Sequence, residues 1–295
     1  QRHRQRQRHD FWRRRRRPNL RRQLADGFSS PNEPGGDDIL DGGLGDDYLN
    51  GQGGNDTAAY NSILAAVTVN LATGVATGQG TDSLVRIESV IGSGLSDTLS
   101  GDANANRFTG GLGNDVIDGS GGLDTAIYSE KTQGVTVAVS GSTLVNVVVG
   151  GVIEDRIRNV ENIIGGSGND QLAGDGLANE LSGGAGNDRF QGLGGADKLD
   201  GGLGADTAIY AEKNPAIQVT LLGSSWATVN VGGVAEDQIR FIENIIGGAG
   251  GDTITGDSLA NALEGMGGND TIRGGLGKDT LDGGAAFDTA DYSDK

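Results

Sequence analysis

The stretch GGAGNDRFQGLGGADKLDGGLGADTAIY, residues 183–210, sets Asp188, Asp197 and Asp206 nine residues apart. Each is followed two places later by an apolar residue, Phe190, Leu199 or Ala208, and glycine fills much of the rest. A tripeptide with an apolar centre is long enough for a very short strand whose middle side chain points inward. The six residues before it must reverse the chain, and glycine takes positive φ there without a Cβ penalty. Two repeats, one per side, make a coil of 18 residues. Stacked coils then form two parallel sheets around a narrow core.

The same nine-residue frame recurs along the chain. It runs over EPGGDDILD, GGLGDDYLN and GQGGNDTAA from Glu33, and through four copies from Gly92, five from Gly165 and five from Gly247. The consensus is Gly-Gly-x-Gly-x-Asp-x-apolar-x, in seventeen copies. Each block closes on Asp-Thr-Ala-x-Tyr, and Tyr128, Tyr210 and Tyr292 follow one another at 82 residues. Between blocks, Val135, Val137 and Val139, then Val145, Val147 and Val149, alternate with the period of a strand. The expected organisation is a basic tail and linker (1–32), blocks at 33–59, 92–127, 165–209 and 247–291, and β spacers at 60–91, 128–164 and 210–246. Residues 292–295 would begin a further spacer. A chain that begins on Gln1 and stops just after DTADY is expected to be part of a longer protein.

Composition explains why such a coil needs help. Glycine supplies 55 of 295 residues, and each loses more backbone freedom on folding than any other residue. Apolar residues make up 35% and aromatics 4%, which is thin material for a core. The net charge of −17 hides an asymmetry: residues 1–28 carry about +9, leaving about −26 on the body. A body this acidic repels nucleic acid and anionic membranes and attracts cations. No apolar run is long enough to cross a membrane as a helix, and the basic start lacks the apolar stretch of a cleavable signal peptide. Cysteine is absent, so thiolate metal sites and disulfides are excluded.

Stacking coils places every aspartate over the one 18 residues later, near the strand spacing of about 4.8 Å. Two such charges repel by about 3 kcal/mol at an effective dielectric near 20. A hard divalent cation between turns reverses the sign, and calcium accepts six to eight carboxylate and carbonyl oxygens. A column of calcium sites is therefore expected, with pairs Asp38–Asp56, Asp97–Asp115, Asp252–Asp270 and Asp270–Asp288.

The nonapeptide closely resembles that of the RTX (repeats-in-toxin, hemolysin-type) calcium-binding family. The resemblance covers the four blocks, and more loosely the spacers. It implies an all-β, right-handed parallel β-roll that folds on calcium outside the cell, and export by a type I system. It also implies ligand sets of one carboxylate and two backbone carbonyls from each of two turns. Carried onto this chain, Gly166, Gly168 and Asp170 would face Gly183, Ala185 and Asp188. Gly184, Gly186 and Asp188 would face Gly201, Leu203 and Asp206.

Three repeats depart from the pattern, with Asn106, Asn179 and Asn261 in the aspartate slot. Their pairings with Asp124, Asp197 and Asp279 lack one carboxylate and are expected to bind weakly or not at all. Asp102, Asp175 and Asp257 in those repeats read as turn residues. Asp47 has Ala65 eighteen residues on and is expected to bind poorly. Glu88, Glu161 and Glu243, which precede each block, read as hydrogen-bonding residues at the roll's entrance. Tyr60, Tyr128, Tyr210 and Tyr292 read as plugs where Ala58, Ala126, Ala208 and Ala290 thin the core, and Trp226 as spacer packing.

Catalysis is not expected. The two histidines, His3 and His9, both lie in the arginine-rich tail, so the body has no triad or zinc-protease motif. The paired carboxylates that might suggest a glycosidase are already accounted for by the repeat. The leading expectation is a calcium-binding structural module of a secreted bacterial protein, with affinity of about 10⁻⁴ to 10⁻³ M. The alternatives are the non-catalytic part of a secreted protease, lipase or polysaccharide epimerase, or an adhesin arm meeting a surface polysaccharide or host surface. An ice-binding solenoid is disfavoured because position three reads Leu44, Gly53, Leu112, Ala185 and Leu276 rather than threonine.

Overall fold

The computed structural model describes residues 36–293, together with the backbone of a two-residue strand, Leu20–Arg21, that pairs in parallel with Ile39–Leu40. The rest of the basic tail and linker expected at 1–32, with its histidines, lies outside the described residues, as do 33–35, Asp294 and Lys295.

Among the described residues the chain is all strand and turn, arranged as two fifteen-stranded sheets. Most strands are three residues long, with the middle side chain buried and its neighbours exposed or half-buried, as in Gln171–Ala173 and Arg189–Gln191. The coil length is 18 residues: Ile163 pairs with Leu181 and Leu181 with Leu199 in one sheet. Leu172 pairs with Phe190 and Phe190 with Ala208 in the other. Successive rungs alternate between sheets, so the inward residues stack into one continuous core. This is a β-roll solenoid. Its aspartates recur with the core residues because both sit at fixed places in the nonapeptide.

The spacers are built into the roll rather than hung from it. Each is a three-stranded antiparallel meander spliced into one sheet: Thr68–Asn70, Val75–Thr77 and Thr81–Val85; Val135–Ala138, Val145–Val149 and Val152–Arg158; Ile217–Thr220, Ala227–Val231 and Val234–Arg240. The first strand pairs in parallel with the rung ahead, as Val137 with Leu172. The last pairs in parallel with the rung behind, as Ile157 with Ile117. The middle strand runs antiparallel to both. Of the alternating valines, Val135 and Val137 fall on the first strand of the second spacer, Val139 just after it, and Val145, Val147 and Val149 on the second, whereas its last strand is the segment VIEDRIR. Asn162–Ile164, in the phrase NVENII, is itself a rung, paired with Thr125–Ile127 behind and Glu180–Ala185 ahead.

Rung number decides which face a spacer occupies. Five rungs separate the first and second spacers, and both lie in one sheet. Six separate the second and third, and the third lies in the opposite sheet.

Tyr60, Tyr128 and Tyr210 are buried at the ends of their blocks against Ala58, Ala126 and Ala208, as expected. Tyr292 departs from that expectation and is exposed. Trp226 packs within its spacer, with the Arg240 guanidinium 4.4 Å from the ring centroid and 2.6 Å from Asp200.

Candidate metal centre

The turns carry a ladder of aspartates. The backbone N–H of Asp170 donates to Asp188 Oδ1 at 2.7 Å, and that of Asp188 to Asp206 Oδ1 at 2.7 Å. The same bond joins Asp38 to Asp56, Asp97 to Asp115, Asp252 to Asp270 and Asp270 to Asp288, at 2.7–3.0 Å. One oxygen of each accepting carboxylate is thus satisfied by backbone. The fate of the other divides the turns into two classes.

In closed turns the second oxygen is satisfied locally. Ser93, Gly166 and Gly248, at position two of their repeats, donate their N–H to Oδ2 of Asp97, Asp170 and Asp252 at 2.5, 2.7 and 2.8 Å. The asparagine repeats close in the same way: Asp102, Asp175 and Asp257 donate N–H to Oδ1 of Asn106, Asn179 and Asn261 at 2.8–2.9 Å. The side chains of Asp102, Asp175 and Asp257 in turn accept the N–H two residues on, the turn role expected of them.

In open turns, positions two and four have positive φ: 97° and 119° at Gly184 and Gly186, 95° and 145° at Gly202 and Gly204, 99° and 120° at Gly111 and Gly113. The position-two amide then no longer serves the carboxylate. Oδ2 of Asp56, Asp115, Asp124, Asp188, Asp197, Asp206 and Asp270 is buried without a hydrogen-bond partner. It lies against the first glycine of its own turn: a Cβ at Gly51, Gly110, Gly119, Gly183, Gly192, Gly201 or Gly265 would collide with it. A buried carboxylate oxygen left without a donor costs roughly 1–3 kcal/mol or more, a cost that a cation held at the open turn would offset.

Burial raises carboxylates in both classes of turn, Asp170 and Asp252 included. Burial, against the backbone hydrogen bond that opposes it, pushes Asp115, Asp124, Asp188 and Asp197 up to about 7, and Asp206 to about 6. Asp170 and Asp206 add their charges to the upward shift of Asp188.

Of the ligand sets carried over from the family, the turns at 183–188 and 201–206 lie side by side, whereas Asp170 of the other set already accepts the Gly166 N–H. Gly184 pairs with Gly202 and Ala185 with Leu203, bringing the 183–188 and 201–206 turns into register. The Gly166 and Gly168 carbonyls lie under Gly184 and Gly186, where any Cβ would strike them. Asp38 and Asp279 are half-buried and Asp288 is exposed, so the ladder is most enclosed in its middle. Among the described residues no three Asp, Glu or His side chains converge on one point. Such a site would draw on backbone carbonyls with one or two carboxylates, a donor set of hard oxygens suited to calcium.

Sequence reading missed one set of carboxylates. Asp47 does have a partner: its N–H donates to Asp82 Oδ1 at 3.0 Å, 35 residues on. Asp115 likewise donates to Asp155 at 2.8 Å and Asp197 to Asp237 at 3.0 Å, 40 residues on. The last strand of each spacer thus carries a ladder aspartate two places before an inward residue, Leu84, Ile157 or Ile239. That aspartate-x-apolar spacing was the available signal. Glu88, Glu161 and Glu243 fill the same slot, accepting the N–H of Asp56, Asp124 and Asp206 through Oε2 at 2.8–2.9 Å, in line with the hydrogen-bonding role read for them.

The family model for the RTX calcium-binding nonapeptide repeat (4 copies) matches residues 35–58, 91–126, 160–176, 174–208 and 255–290. These are RTX calcium-binding nonapeptide repeats. The matched segments are rungs and turns of the solenoid, and the three meanders lie between them. No curated protein matches the chain. The RTX repeats make this chain a calcium-binding repeat module.

Proposed function

We propose that this RTX module is a non-enzymatic scaffold of a secreted bacterial protein, folding on extracellular calcium and spacing the parts it joins. The observation that carries this reading is the buried, donorless Oδ2 of Asp188 and of Asp206 in two open turns that stack in register. The bound ion supplies the positive charge those oxygens lack. Asp188 and Asp206, with the carbonyls of the turns between them, hold it, and the glycines at positive φ let those turns approach. Several ions are expected along the ladder, the most enclosed between the stacked turns of Asp188 and Asp206. Without them the unscreened carboxylates and the entropy of the glycines oppose folding, so the chain stays exportable until it meets calcium. The repeats are typical of secreted proteins, which supports an extracellular location. Among the described residues no helix is long and apolar enough to cross a membrane.

Circular dichroism during calcium titration tests the reading. Strand signal should rise cooperatively with calcium near 10⁻⁴ to 10⁻³ M, and magnesium, which dehydrates reluctantly and demands a tighter octahedron, should not induce it. Equal structure in chelator, magnesium and calcium would reject it. Assays for peptide, ester and glycosidic hydrolysis should be blank.

A further inference from the structure

The turn that precedes each spacer has a neighbour unlike any other. Along the uninterrupted roll, the position-two carbonyl accepts an N–H from the next turn, as Gly166 O does from Ala185 at 3.0 Å and Asp175 O from Gly194 at 3.0 Å. Before the second and third spacers a lysine takes that place. Lys131 Nζ donates to Gly111 O at 2.6 Å, and Lys213 Nζ donates to Leu193 O. Both lysines are about nine-tenths buried, at 8% and 11% exposure. Each ammonium also pairs with a spacer glutamate, Glu154 or Glu236, and has a second carboxylate at 3.4 Å (Glu130) or 3.8 Å (Glu212). Its charge also acts on the ladder itself, on Asp115 and Asp155 in one case and on Asp197 and Asp237 in the other.

The first spacer provides an internal comparison. Its backbone is the same at this point: Ile63 N donates to Tyr60 O at 3.2 Å, as Lys131 N does to Tyr128 O and Lys213 N to Tyr210 O at 2.9 Å. The side chain, however, is a buried isoleucine. The residue before ladder aspartate Asp82 is Thr81, where the other spacers have Glu154 and Glu236. Lysine and glutamate are therefore present together or absent together. Around Ile63, Gly43, Gly45, Tyr60 and Asp82 line a cavity of about 10 Å³, too small for more than a single water.

We propose that Lys131 and Lys213 are tethered cations, standing in for a divalent ion at the 110–115 and 192–197 turns so that these junctions close without calcium. A meander cannot offer the run of carbonyls that a repeat turn offers. A lysine carried by the spacer supplies a positive charge there instead, and its spacer glutamate holds the ammonium in place. The proposal rests on the calcium reading above and specifies where along the ladder that ion is replaced.

Calcium stoichiometry of the full chain tests it, by equilibrium dialysis with labelled calcium on the wild type, Lys131→Ala, Lys213→Ala and the double variant. Each alanine should vacate room for one ion, so the single variants should bind one more calcium than the wild type and the double variant two more. Lys131→Met, which removes the charge but keeps the volume, should bind no extra ion and melt at a lower temperature. Alanine variants that bind the wild-type number of ions would overturn the proposal. So would alanine variants that fail to reach the wild-type dichroism signal in saturating calcium, because the ion could not then replace the ammonium. A wild type that binds no calcium would reject the calcium reading and this proposal together, whereas unchanged stoichiometry in the variants rejects this proposal alone.

Discussion

Asp188 donates its backbone N–H to Oδ1 of Asp206 at 2.7 Å, while Oδ2 of that same Asp206 carboxylate is buried with no donor. One half of the carboxylate holds two coils in register, and the other half has the hard, unpaired oxygen that a cation would take.

That division separates two substitutions that look alike in sequence. Asp188→Asn removes a charge from an open turn and should raise the calcium needed for half-folding about tenfold, equivalent to about 1.4 kcal/mol. Asp170→Asn alters a closed turn in which both carboxylate oxygens accept backbone N–H groups, Oδ1 from Val135 and Oδ2 from Gly166. The amide NH2 would face one of those donors, so this variant should cost about 1–3 kcal/mol of stability while leaving the number of bound calcium ions unchanged. Equilibrium dialysis and thermal melts would compare the two, and a lost ion in Asp170→Asn with none lost in Asp188→Asn would refute the two-class description.

Glycine replacement should discriminate in the same way. Gly184 has φ +97° and its Cβ would strike the Gly166 carbonyl, whereas Gly176, in a closed turn, has open space at that point. Gly184→Ala should therefore destabilise the calcium-loaded roll by roughly 1–3 kcal/mol. Gly176→Ala should be neutral or slightly stabilising. Thermal melts in saturating calcium would show the difference.

The pH response follows from carboxylates raised from 3.8 to about 7 at Asp115, Asp124, Asp188 and Asp197. A raised pKa means that the ion-free roll binds protons the unfolded chain does not. It therefore gains stability as pH falls from about 7 towards 4 and loses it as pH rises through 7. In chelator, strand content should increase on acidification from pH 8 to pH 5. In calcium the ion keeps Asp188 ionised in the folded chain as it is in the unfolded one, so stability should depend less steeply on pH than in chelator. The gap between the two conditions should be widest at pH 8. Ion-free stability that rises with pH would contradict the assignment.

Phe190 is fully buried and paired between Leu172 and Ala208. Phe190→Ala would leave a cavity in a core only one side chain wide and should cost about 3–5 kcal/mol. Denaturant unfolding in calcium would measure it, and a cost below about 1 kcal/mol would show that the core is not what holds adjacent coils together.

The sequence by itself determined the nine-residue repeat, the inward residue of each rung and the acidic turns, because those features depend on residues within one repeat. Asp188 and Phe190 are close in the chain and keep a fixed relation wherever the repeat occurs. Only the tertiary structure decided that Asp82, Asp155 and Asp237 complete the ladder, because their partners lie 35 or 40 residues away across a meander. It also decided that the Asp170 turn is closed and the Asp188 turn open. Both repeats carry glycine at positions two and four, so composition cannot separate them. What separates them is the neighbour: the 165–170 turn stacks on the spacer backbone at Lys131, whereas the 183–188 turn stacks on another repeat turn.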